Sequence, residues 1–234
     1  MAIAFRSSTN ATTGNNAPAV SLVINKPAGT ADGDLIQITI LASTLGAVSS
    51  ISGSSGWTAK QPCGVSGGGK NSTLTSYEKI ASSEPSSWTI NLNSSTNCCA
   101  VAEAFTGVAD TGQYDVGNSA ATGSLVSSLG ITTITTAHDN EIIVHAGAYR
   151  NNGTYTEPSG FSLRDTASFV DAITATWTLK LSDFVQATAG ATGTITCNFG
   201  TAVNLSLANM SAYMPPQSTL VVFPIFYFGT VGRR

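Results

Sequence analysis

The chain has 234 residues, of which 10% are charged, where an ordinary soluble domain carries about 25%. Its 10 Lys+Arg and 13 Asp+Glu give a formal net charge of −3, and 42% of its residues are hydrophobic. This excludes a disordered chain, which combines low hydrophobicity with high charge, and a nucleic-acid partner, which needs clustered cations against phosphates.

In chain order, residues 1–16 read as an N-terminal strand or arm. Met1-Ala2-Ile3-Ala4-Phe5-Arg6 shows no basic region followed by a long apolar stretch, and no segment reaches the roughly 18 apolar residues of a membrane span. The expectation is a protein first resident in a cytoplasm, with no membrane partner. Strands are predicted at Leu35 to Leu41, Thr73 to Ile80, Ser87 to Leu92 and Cys98 to Phe105. A second set follows at Glu141 to Ala148, Ala175 to Leu181, Gly193 to Phe199 and Leu205 to Tyr213. Alternation supports strands: Ile36, Ile38 and Ile40 point one way, Gln37 and Thr39 the other. Clusters rich in Gly, Ser, Asn or Pro at Ser49 to Gly56, Gly67 to Ser72, Ser82 to Ser87, Arg150 to Gly160 and Ala187 to Gly193 read as turns. Leu41 to Ser52 and Asp165 to Asp171 leave room for a short helix. Cys63, Cys98, Cys99 and Cys197 read as reduced thiols without zinc-site spacing.

The two halves match. Gly33-Asp34-Leu35-Ile36-Gln37-Ile38-Thr39-Ile40-Leu41-Ala42 is answered by Asp139-Asn140-Glu141-Ile142-Ile143-Val144-His145-Ala146-Gly147-Ala148, each an acidic turn entering a buried strand. Ser55-Gly56-Trp57-Thr58-Ala59-Lys60 is answered by Ser159-Gly160-Phe161-Ser162-Leu163-Arg164, and Cys99 to Phe105 by Leu207 to Tyr213. The offset of roughly 105 residues exceeds the about 20 to 50 of solenoid and propeller units. The predicted fold is therefore all-β: an eight-stranded jelly-roll β-sandwich built from two similar halves, with an extended C-terminal arm. The jelly-roll domain spans 17–214, with halves at about 17–110 and 111–214. Strands of one half are expected to pair with strands of the other, and Gly107 to Val116 forms the hinge.

The series P-x-G-x-x-x-G-D-L, S-G-W-T, A-F-T-G-V-A-D, Y-D-V, E-I-I-V, P-S-G-F and A-G-A-T-G-T resembles a jelly-roll β-sandwich domain of bacteriophage virion proteins and some bacterial surface proteins. The resemblance implies a structural or adhesive module without catalysis, assembled in the host cytoplasm and located in the virion. It also implies a homo-oligomer, with a trimer as the guess.

Residues 215–234 depart from that pattern. Leu220, Val222, Phe223, Ile225, Phe226, Tyr227 and Phe228 belong to the most apolar stretch of the chain, introduced by Pro215-Pro216 and interrupted by Pro224. This arm either folds back over its own domain or docks on another subunit; the expectation is docking, by strand addition or groove filling.

No residue set suggests catalysis, a metal or a cofactor. Glu103 shares a strand face with Val101 and Phe105 and reads as a satisfied polar residue at a sheet face or subunit contact. His138 and His145 fall on opposite faces of an extended strand, Asp32-Gly33-Asp34 is a turn, and Gly67-Gly68-Gly69-Lys70 is a hairpin tip without phosphate-loop spacing. Trp57 and Trp177 are candidates for a glycan platform, against core packing; Trp88 is similar. The function expected is a bacteriophage capsid decoration or cement protein, contacting the major capsid protein or copies of itself. The alternative is a carbohydrate- or receptor-binding module of a tail fibre or surface adhesin.

Overall fold

The structure, a computed structural model, describes residues 2–67, 69–151, 153–171 and 175–216. The fold is all-β, with no helix among the described residues. Its first half holds β1 (Ala4–Thr12), β2 (Ala19–Asn25), β3 (Leu35–Ala42), β4 (Val48–Ser52), β5 (Thr58–Gly67), β6 (Lys70–Ile80), β7 (Ser87–Thr96) and β8 (Cys98–Thr106). Its second half holds β9 (Tyr114–Thr122), β10 (Val126–Ile131), β11 (Thr135–Thr136), β12 (Glu141–Arg150), β13 (Tyr155–Thr156), β14 (Ser162–Val170), β15 (Thr176–Gln186), β16 (Gly190–Ala191) and β17 (Ile195–Tyr213).

The duplication is carried by topology as well as by sequence. In the first half a five-stranded sheet, β1-β8-β3-β6-β5, faces a three-stranded sheet, β2-β7-β4. In the second half the 19-residue β17 serves both layers. Its C-terminal part joins β9 and β12, giving the order β9-β17-β12-β15-β14, while its N-terminal part lies between β10 and β13. The strand that is broken into β7 and β8 in one half is thus continuous in the other, bending at Leu205, a non-glycine residue with φ of 59°. The small β11–β16 pair is an addition of the second half. Even the irregularities repeat: β2 shifts register on β7 between Ala19 and Ser21, and β10 on β17 between Val126 and Ser128. That register makes Ile195 the equivalent of Trp88, and Cys197 the equivalent of Ile90.

Several expectations are corrected. The described residues hold seventeen strands: β1, β2, β4, β5, β9, β10, β11, β13, β14 and β16 fall outside the expected eight, and β17 joins two of those, with β4 overlapping the turn-like stretch Ser49 to Gly56 and β13 lying in Arg150 to Gly160. The N-terminal segment, expected as a strand or arm, holds the strand β1, at the edge of the sheet and paired with β8. The two stretches with room for a helix are strand as well: β4 lies in Leu41 to Ser52, and β14 runs through Asp165 to Val170 against β15. Lastly, each of the described strand ladders stays inside one half, so the halves meet mainly through side chains, with isolated backbone bonds such as Asn16 N–H to the Val170 carbonyl at 2.8 Å.

That meeting explains β3, LIQITILA, in which every residue is buried. Ile36, Ile38 and Ile40 enter the core of the first half with Trp88, Ile90 and Leu92. The opposite face, which an isolated sandwich would give to water, is covered by the other half. Leu41, Leu74, Cys99 and Val101 pack there against Ala146, Ala148, Phe169, Trp177, Leu179, Leu181 and Leu207. Full burial of each large side chain contributes on the order of 1.5–3 kcal/mol. The contact is reciprocal, as across a two-fold interface. Lys60 of β5 pairs with Glu78 at 3.3 Å and lies 3.9 Å from the centre of the Tyr114 ring of the second half. Its equivalent, Arg164 of β14, pairs with Asp183 at 2.6 Å and lies 4.5 Å from the centre of the Phe5 ring of the first.

Candidate functional site

The interface between the halves also holds polar groups. Gln37, Glu78 and Glu103 form one row across β3, β6 and β8. The Tyr213 hydroxyl donates to Gln37 Oε1 at 2.6 Å, and Asn209 Nδ2 donates to the Gln61 carbonyl and to Ser76 Oγ, both at 3.2 Å. Glu103 is different from the satisfied residue expected: it is fully buried and neither carboxylate oxygen has a hydrogen-bond partner. Burial, then the nearby Asp183 and Asp165, push its pKa well up, against the lowering pull of Arg164. A carboxyl raised in this way can suit acid–base chemistry, but this one is sealed between two sheets and cannot reach a substrate.

His145 is equally enclosed. Its strand position matches Ile38, so its ring enters the core of the second half, edge-on to Phe161 with centroids 5.8 Å apart. Nδ1 is 3.5 Å from both the Tyr155 and Ser182 hydroxyls, Nε2 has no partner, and burial lowers the pKa to about 3. His138 is instead beside Glu141, so the structure does not bring the two histidines together.

The tryptophan platform is corrected in part. Trp177 is 0% exposed, stacked on Phe169 and donating Nε1–H to Asp171 Oδ2 at 3.2 Å, so it has no face to offer a sugar. Trp88 is buried too, and the half-buried Trp57 packs edge-on against it at 5.4 Å. The cysteines are free thiols. Burial raises Cys63 and Cys98 to about 12 and Cys197 to about 11, leaving little thiolate for reaction or metal capture.

Of the open features among the described residues, two bear on function. One is a cavity of about 460 Å³ in the second half, lined by Ile143, Phe161, Phe184, Gln186, Ile195 and Asn198, with Pro158, Ser159 and three threonines completing the wall. It exists because Trp57 and Trp88 of the first half are replaced by the smaller Phe161 and Ile195. The exchange of Trp57 for Phe161 is visible in the sequence, whereas that of Trp88 for Ile195, and its place beside the first, follows only from the strand register. The other is the exit of the chain. Met214 N donates to the Gln113 carbonyl at 2.9 Å, and Ala109 N donates to the Met214 carbonyl at 3.0 Å, which fixes the exit beside the hinge between the halves. The expected docking arm, with Leu220, Val222, Phe223, Ile225, Phe226, Tyr227 and Phe228, lies outside the described residues.

No family model, no curated protein and no solved structure matches the chain.

Proposed function

We propose that the protein is a structural component of a bacteriophage virion that decorates or cements the capsid, and that each half is a jelly roll. The orders β1-β8-β3-β6 and β2-β7-β4 wrap as such a roll does, with β5 carried on the larger sheet. The observation that carries the function is the contrast between the two ends of the polarity range. The outward strands β4 and β10 expose serine and glycine, suited to wet contacts, while β2 exposes Val20 and Val23 beside Ser21 and Asn25; the segment after Pro216 concentrates the apolar residues of the chain. The groups that could do acid–base chemistry, Glu103 and His145, are enclosed. On this reading the double body faces outward, and the terminal segment fastens to the major capsid protein or to a neighbouring copy. A trimer is the arrangement proposed.

A second reading, a carbohydrate- or receptor-binding module of a tail fibre or adhesin, draws support from the cavity of the second half. Phe161 and Phe184 supply ring faces, and Gln186, Asn198 and threonine hydroxyls supply hydrogen bonds, the mixture that sugar sites use. Labelling the protein and imaging intact particles separates the two. Label spread over the shell is the expected result, while label confined to a tail tip favours the second reading and overturns the first.

A further inference from the structure

The two halves differ in charge at one equivalent place. In the first half Arg6, at the register shift of β1 on β8, reaches the acidic residue that opens β3: Nε is 2.7 Å from Asp34 Oδ2 and Nη2 is 3.0 Å from Oδ1. The register of β9 on β17 puts Asp115 where Arg6 stands, and that of β12 puts Glu141 where Asp34 stands. A guanidinium facing a carboxylate has become a carboxylate facing a carboxylate. In water this would cost little, but Glu141 is 0% exposed and Asp115 half-buried, and a buried carboxylate facing a second one is unfavourable without a cation or a proton.

A third group completes the place. His138, half-buried on the approach to β12, has Nδ1 3.2 Å from Glu141 Oε1, and the same oxygen accepts the His138 backbone N–H at 2.8 Å. Asp115 Oδ2 accepts the Ala137 N–H at 2.8 Å, which holds its carboxylate toward the same loop. One ligand atom from each of Asp115, His138 and Glu141 lies within 4.8 Å of the other two. The remaining carboxylate oxygen of Glu141, Oε2, is buried and has no hydrogen-bond partner.

We propose that Asp115, His138 and Glu141 bind a divalent cation of the zinc or manganese class, which takes the place that the Arg6 guanidinium holds in the first half. Two carboxylate oxygens and one imidazole nitrogen suit such a borderline cation, with water completing the coordination, whereas calcium and magnesium favour sites made entirely of oxygen. The cation would join the start of β9, the loop before β12 and the first residue of β12, so its role is to fasten the second half where the chain enters it. Spacing along the chain separates His138 from His145, and the partners of His138 come instead from β9 and β12.

The test uses the full-length chain without an affinity tag, stripped with a chelator and titrated separately with Zn²⁺, Mn²⁺, Ca²⁺ and Mg²⁺ by calorimetry and thermal melting. The expected result is uptake of one Zn²⁺ or Mn²⁺ per chain. At about 100 times Kd, Tm should rise by roughly 5–10 °C. His138→Ala, at a partly exposed position, should weaken uptake about 10-fold or more with the metal-free Tm little changed. Asp115→Arg, which gives the second half the ion pair of the first, should abolish uptake while keeping or raising the metal-free Tm. No saturable uptake by the wild type, uptake unchanged in both variants, or a response to Ca²⁺ or Mg²⁺ alone would overturn the proposal.

Discussion

Trp177→Ala is expected to destabilise the protein by roughly 3–5 kcal/mol, the range for deleting a large buried aromatic, and to lower Tm by roughly 6–20 °C for a chain of this length. Trp177 sits in the layer shared by the two halves, among Phe169, Leu179 and Leu181 of its own half and Leu41, Leu74 and Val101 of the other. Its removal also takes away the indole N–H that Asp171 Oδ2 accepts beside Arg150 Nε. Because the cavity would open between the halves, the loss is expected in one cooperative transition of the whole chain. Urea unfolding followed in parallel by circular dichroism and tryptophan fluorescence checks this. Coincident curves at a lower midpoint are the expected outcome, and a first half that melts at its original midpoint would show that the halves are not coupled.

The second large effect depends on pH and comes from His145. In the folded protein its pKa is lowered to about 3 from an ordinary value of 6.5, so between those limits the unfolded chain binds a proton that the folded chain excludes. Stability therefore rises with pH across this window, and is lost as pH falls below 6.5 at up to about 1.4 kcal/mol per pH unit, roughly 4–5 kcal/mol in all. The buried Glu103 has the opposite sign: its raised pKa favours the protonated native state, and its contribution fades as pH rises above the ordinary carboxylate range. The two are separated by His145→Ile, which places in the second half the residue type found at the matching position of the first, Ile38. The variant should be more stable than the wild type below pH 6, with a gap that widens steadily toward pH 4. Denaturation midpoints measured across that range would show it, and parallel pH profiles for the two proteins would contradict the assignment.

What could be read from the sequence follows from which strands have two apolar neighbours. The strands β3, β8, β12 and the C-terminal part of β17 are buried on both faces, so their apolar runs were visible without tertiary information. The motifs of Trp57 and Phe161, and the acidic entries at Asp34 and Glu141, were also visible and revealed the duplication. The outer strands were not. The β4 sequence VSSIS and the β10 sequence VSSLGI alternate apolar residues with serine, and a short strand of that kind resembles a turn-rich loop. Hence the pattern of apolar runs predicts only four strands per half, and cross-pairing to complete a sandwich. The reciprocal contacts of Lys60 with Tyr114 and Arg164 with Phe5 were hidden for another reason: they join residues of different halves, and only the packing of the two five-stranded sheets brings them together. The cavity and the Asp115, His138 and Glu141 group emerge in the same way, by superposing two halves that differ at a few positions.

The central claim is that the segment after Pro216 attaches this double body to a particle. It is tested most directly by adding back purified full-length protein, or a chain ended at Pro216, to particles that lack it, and counting bound copies by imaging. The shortened chain should melt cooperatively, since Met214 and the layers before it are retained, yet leave the shell nearly bare where the full-length protein saturates it. Equal occupancy by the two proteins would contradict the account.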